Sequence, residues 1–301
     1  MPVEITKFAL DPLKISIGTA NFHRNYGTVS NTRVGLNELI KIDNLMNVYG
    51  IKKIDTAFSY IDFRKNDFPS TFYKQRLVTS KISISDLSKE HVRTSDGLIK
   101  IIEKMLNHMG IKTLDALLIH GVSDYCSPDF DWFLNGLNKS KEMGLVSKIG
   151  VSIYSIKDFE QYFKRMKIDL IQIPLNPVNQ EFLELDFQNL IRKFGIEVQT
   201  RSAFLQGALL VPNFEIKTES GSINQDAYSN WWEFFHNNHD TPLSACLNFL
   251  AQFSFIESYI FGIESFAQLR EIINCKKSNL NYPWRNFILS NQELIDPRLW
   301  K

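Results

Sequence analysis

The sequence predicts a single (β/α)8 barrel, and three observations support this fold class. Short apolar runs alternate with helical patterns eight times along the 301 residues. Several of these runs lead directly into a titratable side chain, as in Ile54-Asp55, Ser80-Lys81 and Ile119-His120. No linker, low-complexity run or short repeat interrupts the alternation, so right-handed crossovers close it most simply into one barrel domain over residues 1–301.

The first elements are predicted from apolar runs and chain breakers. Two apolar runs broken at Asp11-Pro12 predict an N-terminal β-hairpin that leads into a strand over 14–20. Asn31 or Thr32 is predicted to cap a helix that ends at Gly50. A strand over 52–57 follows. Pro69 limits any helix within 61–75 to a short or bent one.

The middle of the chain continues the alternation. A helix near 88–109 is predicted because its apolar residues recur at three- and four-residue steps and Gly110 follows it. Ser155-x-x-Asp158 resembles a capping box that opens a later helix. The other elements predicted here are strands over 76–82, 114–120 and 148–153 and a helix over 129–144.

The last third of the chain completes the eight strand–helix pairs. Residues 206–223 are predicted to form a loop, since they contain Pro212 and Gly221. Residues 276–301 are predicted to form an irregular, aromatic tail. The remaining predictions are strands over 170–176, 197–203 and 258–263 and helices over 182–195, 225–237, 242–253 and 265–274.

Composition excludes several classes of protein. A formal charge of +1 provides no field that would recruit nucleic acid or an anionic membrane surface. No apolar run approaches the ~20 residues of a membrane span, and the N-terminus lacks a secretory signal pattern. Cys126, Cys246 and Cys275 are widely spaced and form no C-x-x-C pair, which argues against a disulfide framework or a zinc site. We therefore expect a soluble cytoplasmic protein without a metal ion.

Four titratable side chains follow three consecutive strands of the predicted barrel. They are Asp55, Tyr60, Lys81 and His120. The carboxyl ends of parallel strands open onto one face, with neighbouring strands ~5 Å apart, so these groups are expected to share a pocket. Each residue alone is more simply a structural ion pair, core cap or satisfied histidine. Together, at adjacent strand ends, they predict a catalytic site.

The order Asp, Tyr, Lys, His on the second, third and fourth strands resembles the tetrad of the aldo-keto reductase family. The resemblance extends over most of the chain, through short motifs that are each weak alone. It is carried further by Ile17-Gly18-Thr19-Ala20, Ile149-Gly150-Val151-Ser152, Ile171-Gln172-Ile173-Pro174-Leu175-Asn176 and Phe204-Leu205-Gln206-Gly207-Ala208-Leu209.

The resemblance implies an enzyme that transfers a hydride from NADPH or NADH to the carbonyl carbon of a small aldehyde or ketone. Tyr60 would donate the proton to the carbonyl oxygen. A free phenol has a pKa near ~10, and the ammonium of Lys81 would lower it towards the working range. Asp55 would hold Lys81 charged, and His120 would orient the carbonyl by a hydrogen bond.

The resemblance also implies a cofactor site, with two departures from the family pattern. Gly18 and Thr19 would lie under the nicotinamide, and Ser152 and Gln172 would bind its carboxamide. Ile153 stands where the family commonly has Asn. The remaining departure is Arg201, which stands where well-studied members have a stacking aromatic residue, although a guanidinium also stacks on ring faces.

The junction of the last strand and helix is predicted to bind the cofactor's phosphate groups through its backbone and helix N-terminus. Its residues are Gly262, Glu264, Ser265, Gln268 and Arg270, and Ser265-x-x-Gln268 is also a plain capping box. The Lys-Ser pair of NADPH-specific members is replaced by Gly262-Ile263. This replacement and the Glu264 carboxylate predict discrimination that is weak or tilted towards NADH, with Arg270 as the opposing cation.

Substrate specificity is expected in the loops above the strands and in the tail. The candidates are His23, Arg24, Tyr26, Arg64, Lys65, Tyr125, Trp231, Trp232, Trp284 and Trp300, with helix packing an equal alternative for Trp231 and Trp232. The segment 294–300 faintly resembles bacterial members associated with cell-surface sugar synthesis, which suggests a keto-sugar substrate. Composition and motifs do not predict the oligomeric state.

Two other functions are compatible with a barrel of this kind. A non-catalytic, nicotinamide-binding regulatory subunit of the same family would need a docking extension, and neither end of the chain offers an obvious one. A lyase or isomerase on an unrelated barrel would also use phosphate loops, but the Asp, Tyr, Lys, His order does not favour it.

Overall fold

Eight parallel strands close into a barrel in the computed structural model, which describes residues 8–23, 25, 33–61, 69–87, 93–212 and 214–300. The strands follow one another around the barrel in chain order, and the first barrel strand pairs with both the second and the last. The barrel strands are β1 (Ile15–Gly18), β2 (Lys53–Asp55), β3 (Leu77–Ile82), β4 (Leu114–Ile119), β5 (Val146–Ser152), β6 (Leu170–Pro174), β7 (Glu197–Arg201) and β10 (Ser258–Gly262). The predicted fold class is confirmed.

Helices connect the strands in the way a parallel barrel requires. They are α1 (Ala20–His23), α2 (Leu36–Tyr49), α3 (Ser95–Met109), α4 (Phe130–Glu142), α5 (Ile156–Phe163), α6 (Leu185–Phe194), α7 (Ser229–Asn237), α8 (Pro242–Leu250), α9 (Phe266–Asn274) and α10 (Gln292–Ile295). A two-stranded antiparallel sheet, β8 (Glu215–Lys217) with β9 (Ser222–Asn224), lies outside the barrel.

Local sequence explains where several helices begin and end. Gly50 and Gly110 follow α2 and α3 at φ values of 68° and 66°, a left-handed conformation that glycine adopts without steric cost. At the start of α5, the Ser155 hydroxyl accepts from the amide of Asp158, and the Asp158 carboxylate accepts from the amide of Ser155. The predicted helix stops and this capping box are confirmed.

The core follows from the apolar strands. Leu114, Leu117 and Ile119 of β4 are all buried, as expected for a strand covered on both faces. Burying one such side chain stabilises the fold by about 1.5–3 kcal/mol. A second hydrophobic cluster around Trp231 joins α7 and the tail to the loop after β7. The tail is therefore packed against the barrel face at which β7 ends.

The N-terminal hairpin is not seen in the part of the chain that the structure describes. Residues 1–7 lie outside that part, Phe8 forms an isolated antiparallel bridge with Lys276, and Asp11 caps a 3-10 turn over Pro12–Lys14. Both edges of β1 carry parallel neighbours. The break at Asp11-Pro12 therefore produces a turn.

Other element boundaries also differ from the prediction. α2 begins after Gly35, so Asn31 and Thr32, which lie outside the described residues, are not its N-cap. α3 begins at Ser95 because the Thr94 hydroxyl accepts from the amide of Gly97, while 88–92 lie outside the described chain. The predicted loop over 206–223 contains β8 and the start of β9, and the tail contains α10 and two 3-10 turns, Trp284–Phe287 and Pro297–Leu299. These short elements depend on tertiary packing, and periodicity cannot detect them.

Candidate active site

A buried ion pair lies at the carboxyl ends of β2 and β3. Lys81 Nζ is 2.5 Å from Asp55 Oδ1 and also donates to the carbonyl of Thr56 at 3.0 Å. The two side chains are only 4% and 8% exposed. Burial, the largest cause, lowers the pKa of Lys81. The Asp55 carboxylate opposes this shift, whereas the charge of Arg201 adds to it. Burial therefore makes the Lys81 amine less basic than that of a free lysine.

Tyr60 and His120 lie beside this pair. Tyr60 ends a 3-10 turn over Phe58–Tyr60 that follows β2, and His120 directly follows β4. Lys81 Nζ is 5.9 Å from the centroid of the Tyr60 ring. The rings of Tyr60 and His120 are 6.4 Å apart and nearly perpendicular, at 84°. The structure thus brings all four predicted side chains together at one end of the barrel.

A chain of buried amides continues from Asp55 across the barrel interior. Gln172 Nε2 donates to Asp55 Oδ2 at 2.8 Å and lies 3.3 Å from Gln199 Oε1. Gln199 Nε2 in turn donates to Thr79 Oγ1 at 3.1 Å. Sequence reasoning missed Gln199 and Thr79. The available signal was a polar residue within an apolar strand, since Gln199 pairs in register with Gln172.

The other residues expected around the nicotinamide surround this chain. Gly18 of β1 is in register with Asp55 and Gly262, and the amide of the buried Thr19 donates to the carbonyl of Asp55 at 2.9 Å. Ser152 is buried at the end of β5, in register with Gln172. All of them therefore lie at the barrel end that carries the Lys81–Asp55 pair.

Two guanidinium groups contact one aromatic ring beyond β5. The Cζ atoms of Arg201 and Arg298 are 3.9 Å and 3.5 Å from the centroid of the Tyr154 ring. Arg201 also donates to Ser202 Oγ at 3.3 Å and to the carbonyl of Ile153 at 3.0 Å. Arg298 forms a bidentate pair with Asp296, in which Nε donates to Oδ1 and Nη2 donates to Oδ2. The sequence did not predict that the tail reaches this ring.

The N-terminus of α9 is already bound by side chains of the protein. The amide of Gln268 donates to Ser265 Oγ at 3.2 Å, and the amide of Glu264 donates to Gln268 Oε1 at 2.7 Å. The amide of Phe266 donates to Glu38 Oε1 of α2 at 2.8 Å. This backbone hydrogen bond is the largest cause that lowers the pKa of Glu38. Glu38 had no recognisable signal in the sequence.

Lys41 of α2 and Arg270 of α9 are two positive charges near this junction, and Lys41 Nζ is 3.3 Å from Glu38 Oε2. Gly262 is exposed, and a Cβ added there would meet no atom within 4 Å. The Arg270 side chain is exposed, and its Cζ lies 5.5 Å from the centroid of the Phe266 ring on the same helix. Arg270 is the cation that the sequence analysis assigned to this junction, and it lies on the second turn of α9.

The predicted specificity residues have different surroundings. Trp231 is buried and donates to the carbonyl of Leu209, so the packing alternative is the correct one for it. Trp232 Nε1 is buried without a protein acceptor among the described residues.

The other candidates lie in loops and in the tail. His23 Nε2 is 3.0 Å from the hydroxyl of Tyr73. The other three described candidates make ring or backbone contacts: Tyr125 with Tyr162, Trp284 with Tyr282, and Trp300 with the carbonyl of Glu293. Arg24, Tyr26, Arg64 and Lys65 lie outside the described residues.

An open cavity of about 710 Å³ lies between the loops that follow β3 and β4. Its lining includes Ser85, Asp124 and Cys126, and none of the four central side chains. It therefore flanks the candidate site. Burial is the largest cause that raises the pKa of Asp124 to about 6.

In the part of the chain that the structure describes, no group of three His, Cys, Asp or Glu side chains could hold a metal ion. Among the described helices, none is both long and apolar enough to cross a membrane.

The fold and site define a parallel (β/α)8 barrel with a buried Lys–Asp pair, a phenol and an imidazole at the carboxyl ends of its strands. The family profile described as "Aldo/keto reductase family" matches residues 14–282. The chain belongs to the aldo/keto reductase family.

Several relatives and solved structures are similar to this chain. Methylglyoxal reductase DkgB of Yersinia pestis is 28% identical over 188 residues, 58% of this chain and 66% of that protein, slightly less than two thirds of its length. The holo form of an aldo-keto reductase from Bacillus halodurans has a TM-score of 0.67 at 15% identity and covers 91% of this chain and 90% of its own. A glycerol dehydrogenase from Gluconobacter oxydans has a TM-score of 0.61 at 16% identity, and the match covers 95% of this chain and 92% of that chain. At identities of 15% and 16%, the similarity to these two structures shows the fold of this chain alone.

Proposed function

We propose that this protein reduces the carbonyl group of a small aldehyde or ketone with a nicotinamide dinucleotide. The observation that carries the proposal is the Lys81–Asp55 pair beside the Tyr60 phenol and the His120 ring. Structural ion pairs rarely need a half-buried phenol and an imidazole at the same barrel end, whereas carbonyl reduction needs a proton donor and a group that orients the oxygen.

The residues present fit a nicotinamide. Gln172 Oε1 is buried and has no protein hydrogen-bond partner in the described part of the chain. A buried acceptor without a donor costs about 1–3 kcal/mol, so a ligand that donates to it would be bound more favourably. The carboxamide N–H of a nicotinamide is a suitable donor. Gln172 and Ser152 would hold this carboxamide, Gly18 and Thr19 would lie beside the ring, and Arg201 would pack near it. When bound, the reduced nicotinamide would supply the hydride.

The remaining steps belong to the chain's own side chains. Tyr60 donates a proton from its hydroxyl to the carbonyl oxygen. Lys81 stabilises the phenolate that remains, and Asp55 keeps Lys81 in place and charged. His120 donates a hydrogen bond to the carbonyl oxygen and sets the angle of the substrate.

We propose that the cofactor preference is weak or tilted towards NADH. A helix N-terminus at the end of the last barrel strand is a common phosphate site in this fold. Here Gly262, Glu264, Ser265 and Gln268 line that junction, and the Glu38 carboxylate accepts the amide of Phe266. The 2′-phosphate of NADPH at this position would meet repulsion from Glu38 and Glu264. Two cations oppose that repulsion: Lys41, whose Nζ is 3.3 Å from Glu38 Oε2, and Arg270.

The substrate is proposed to be a small polar carbonyl compound such as a keto-sugar. The names of relatives mention methylglyoxal, 2,5-diketo-D-gluconic acid and glycerol, all small and oxygen-rich. The contact of Arg298 with the Tyr154 ring supports a tail that borders the site, as the resemblance of segment 294–300 suggested.

Turnover with a carbonyl panel tests the proposal. The protein is mixed with NADH or NADPH and with aldehydes and keto-sugars, and the nicotinamide absorbance is followed. Oxidation that depends on the carbonyl compound supports a reductase. Tight binding of a dinucleotide without turnover on any panel member would point to a regulatory subunit. If NADPH binds a hundredfold tighter than NADH, the preference for NADH is wrong and Arg270 becomes the phosphate partner.

A further inference from the structure

The amide of Gln172 joins two parts of the site that belong to different tasks. Its Nε2 atom donates to Asp55 Oδ2, and Asp55 Oδ1 accepts from Lys81. Its Oε1 atom is the buried acceptor without a protein partner. The same planar group therefore contacts the acid–base pair through its NH2 end and presents a buried acceptor at its other end.

The orientation of this amide follows from its neighbours. An ionised carboxylate only accepts hydrogen bonds, so the NH2 end of Gln172 must face Asp55, where the distance is 2.8 Å. The contact of Nε2 with Gln199 Oε1 at 3.3 Å favours the same orientation. The reverse rotamer would place two oxygens against each other in a site where Gln172 is fully buried. Oε1 is thus held as an acceptor.

We propose that Gln172 is a positioning residue that couples the nicotinamide carboxamide to the Asp55–Lys81 pair. This inference rests on the proposed function. A donor that binds Oε1 polarises the amide and strengthens the bond from Nε2 to Asp55, because hydrogen bonds in a buried chain reinforce one another. A bound carboxamide therefore fixes the carboxylate that positions Lys81, and the acid–base group is ordered when the cofactor is present.

The coupling requires a ligand that donates a hydrogen bond to Gln172 Oε1. An acceptor held against a buried carboxylate selects a group that donates. A dinucleotide whose carboxamide is replaced by a carboxylate would place an anion against Oε1 and is rejected. The reduced nicotinic acid adenine dinucleotide is such an analogue and can be titrated beside NADH.

The decisive variant is Gln172→Glu, which preserves the shape of the side chain. Only its protonated form can both donate to Asp55 and accept from the carboxamide. In this variant the introduced carboxyl group and that of Asp55 are in contact and share one proton. The pKa for the loss of that shared proton is therefore raised above that of an ordinary carboxyl group. NADH affinity of this variant should fall by about tenfold or more as pH rises from about 5.5 to 8.5, whereas wild-type affinity changes little. The alkaline limit of the turnover profile should move to lower pH in parallel.

A matched pair of variants separates this role from a merely structural one. Gln172→Met removes the acceptor and should reduce the preference for NADH over the carboxylate analogue from at least about tenfold to within about threefold. Gln199→Met changes the same buried layer but leaves the Gln172–Asp55 bond, so it should retain the wild-type preference. Thermal unfolding of each variant verifies that it is folded.

Failure of the proposed function and failure of the coupling give different results in these experiments. If wild type binds no nicotinamide dinucleotide, the proposed function and this inference both fail. If wild type binds NADH but Gln172→Glu shows the wild-type pH dependence of affinity and turnover, the proposed function stands and the coupling is wrong. Equal loss of analogue discrimination in Gln172→Met and Gln199→Met would assign the effect to the packing of the layer and would also overturn the coupling.

Discussion

Lys81 Nζ lies 2.5 Å from Asp55 Oδ1, and neither side chain is as much as a tenth exposed. Removing one partner of such a pair leaves an uncompensated buried charge, which is strongly destabilising, whereas removing both is often tolerated. This relationship decides how variants of the site must be designed, because a loss of activity has to be separated from a loss of folding.

Tyr60→Phe should fold and bind the dinucleotide as wild type does, but lose most carbonyl reduction. The phenol differs from phenylalanine only by its hydroxyl, and a general acid supplies about 10²–10⁴-fold in rate. Single-turnover rates at saturating cofactor measure the effect. Tyr49→Phe, at the end of α2 and therefore at the opposite end of the barrel, is the control that should retain activity. Retention of more than about a tenth of the rate by Tyr60→Phe, with chemistry limiting, would mean that Tyr60 is not the proton donor.

Lys81→Met should shift the pH dependence of reduction. The ammonium favours the phenolate, so its loss should raise the pKa of Tyr60 and move the alkaline limit of the reduction profile to higher pH. The variant leaves Asp55 buried without its partner, and the double variant Asp55→Asn/Lys81→Met shows whether any loss arises from folding. An unchanged alkaline limit in a variant that still turns over would exclude the pairing of Lys81 with Tyr60.

Glu38→Gln should improve NADPH binding relative to NADH. The amide keeps an acceptor for the Phe266 amide but removes the charge that opposes a 2′-phosphate, and a change of about tenfold in the ratio of dissociation constants is expected. Fluorescence titration at constant ionic strength measures both constants. Glu264→Gln, on the same junction, is the comparison variant. A ratio that stays within about twofold of wild type would show that Glu38 does not select the cofactor.

Gly150→Ala should severely destabilise the barrel. A Cβ at this position of β5 would lie 1.9 Å from the carbonyl oxygen of Leu170 on β6 and 2.8 Å from Leu118 Cδ2. Because the closest atom belongs to the backbone of a paired strand, a loss of more than about 3 kcal/mol is expected from urea unfolding. Gly35→Ala, where a Cβ would meet nothing within 4 Å, should cost far less. Similar unfolding midpoints would contradict the close contact.

Asp124→Asn should remove a pH dependence of stability. Burial raises the pKa of Asp124 to about 6 from 3.8, so the folded protein retains a proton that the unfolded chain has lost between these values. The free energy of unfolding of wild type therefore falls as pH rises through this window. The variant's stability relative to wild type should grow between pH ~4 and pH ~7.

The measurement for Asp124 is urea unfolding at several pH values. Asn can still accept from the amide of Ile84, which lies 3.0 Å from Asp124 Oδ2. Ser123→Ala, an exposed neighbour without a titratable group, is the control and should show no such trend. A constant difference between Asp124→Asn and wild type across the window would mean that Asp124 does not titrate there.

Sequence alone determined the barrel and the four central side chains. Strand and helix periods are local properties, and a titratable residue directly after a buried strand must emerge at the strand end. Asp55, Lys81 and His120 could therefore be placed on one face before any coordinates were known. Tyr60 belongs to the same group because only a short turn separates it from β2.

Tertiary structure alone decided which polar groups meet across the barrel and between distant segments. Gln172 reaches Asp55 from the opposite side of the barrel, Glu38 reaches the amide of Phe266 from another helix, and Arg298 reaches Tyr154 from the tail. Their separations in sequence are large, and their residue types are ordinary for surface or strand positions. Such contacts depend on barrel closure and side-chain direction, which no local pattern encodes.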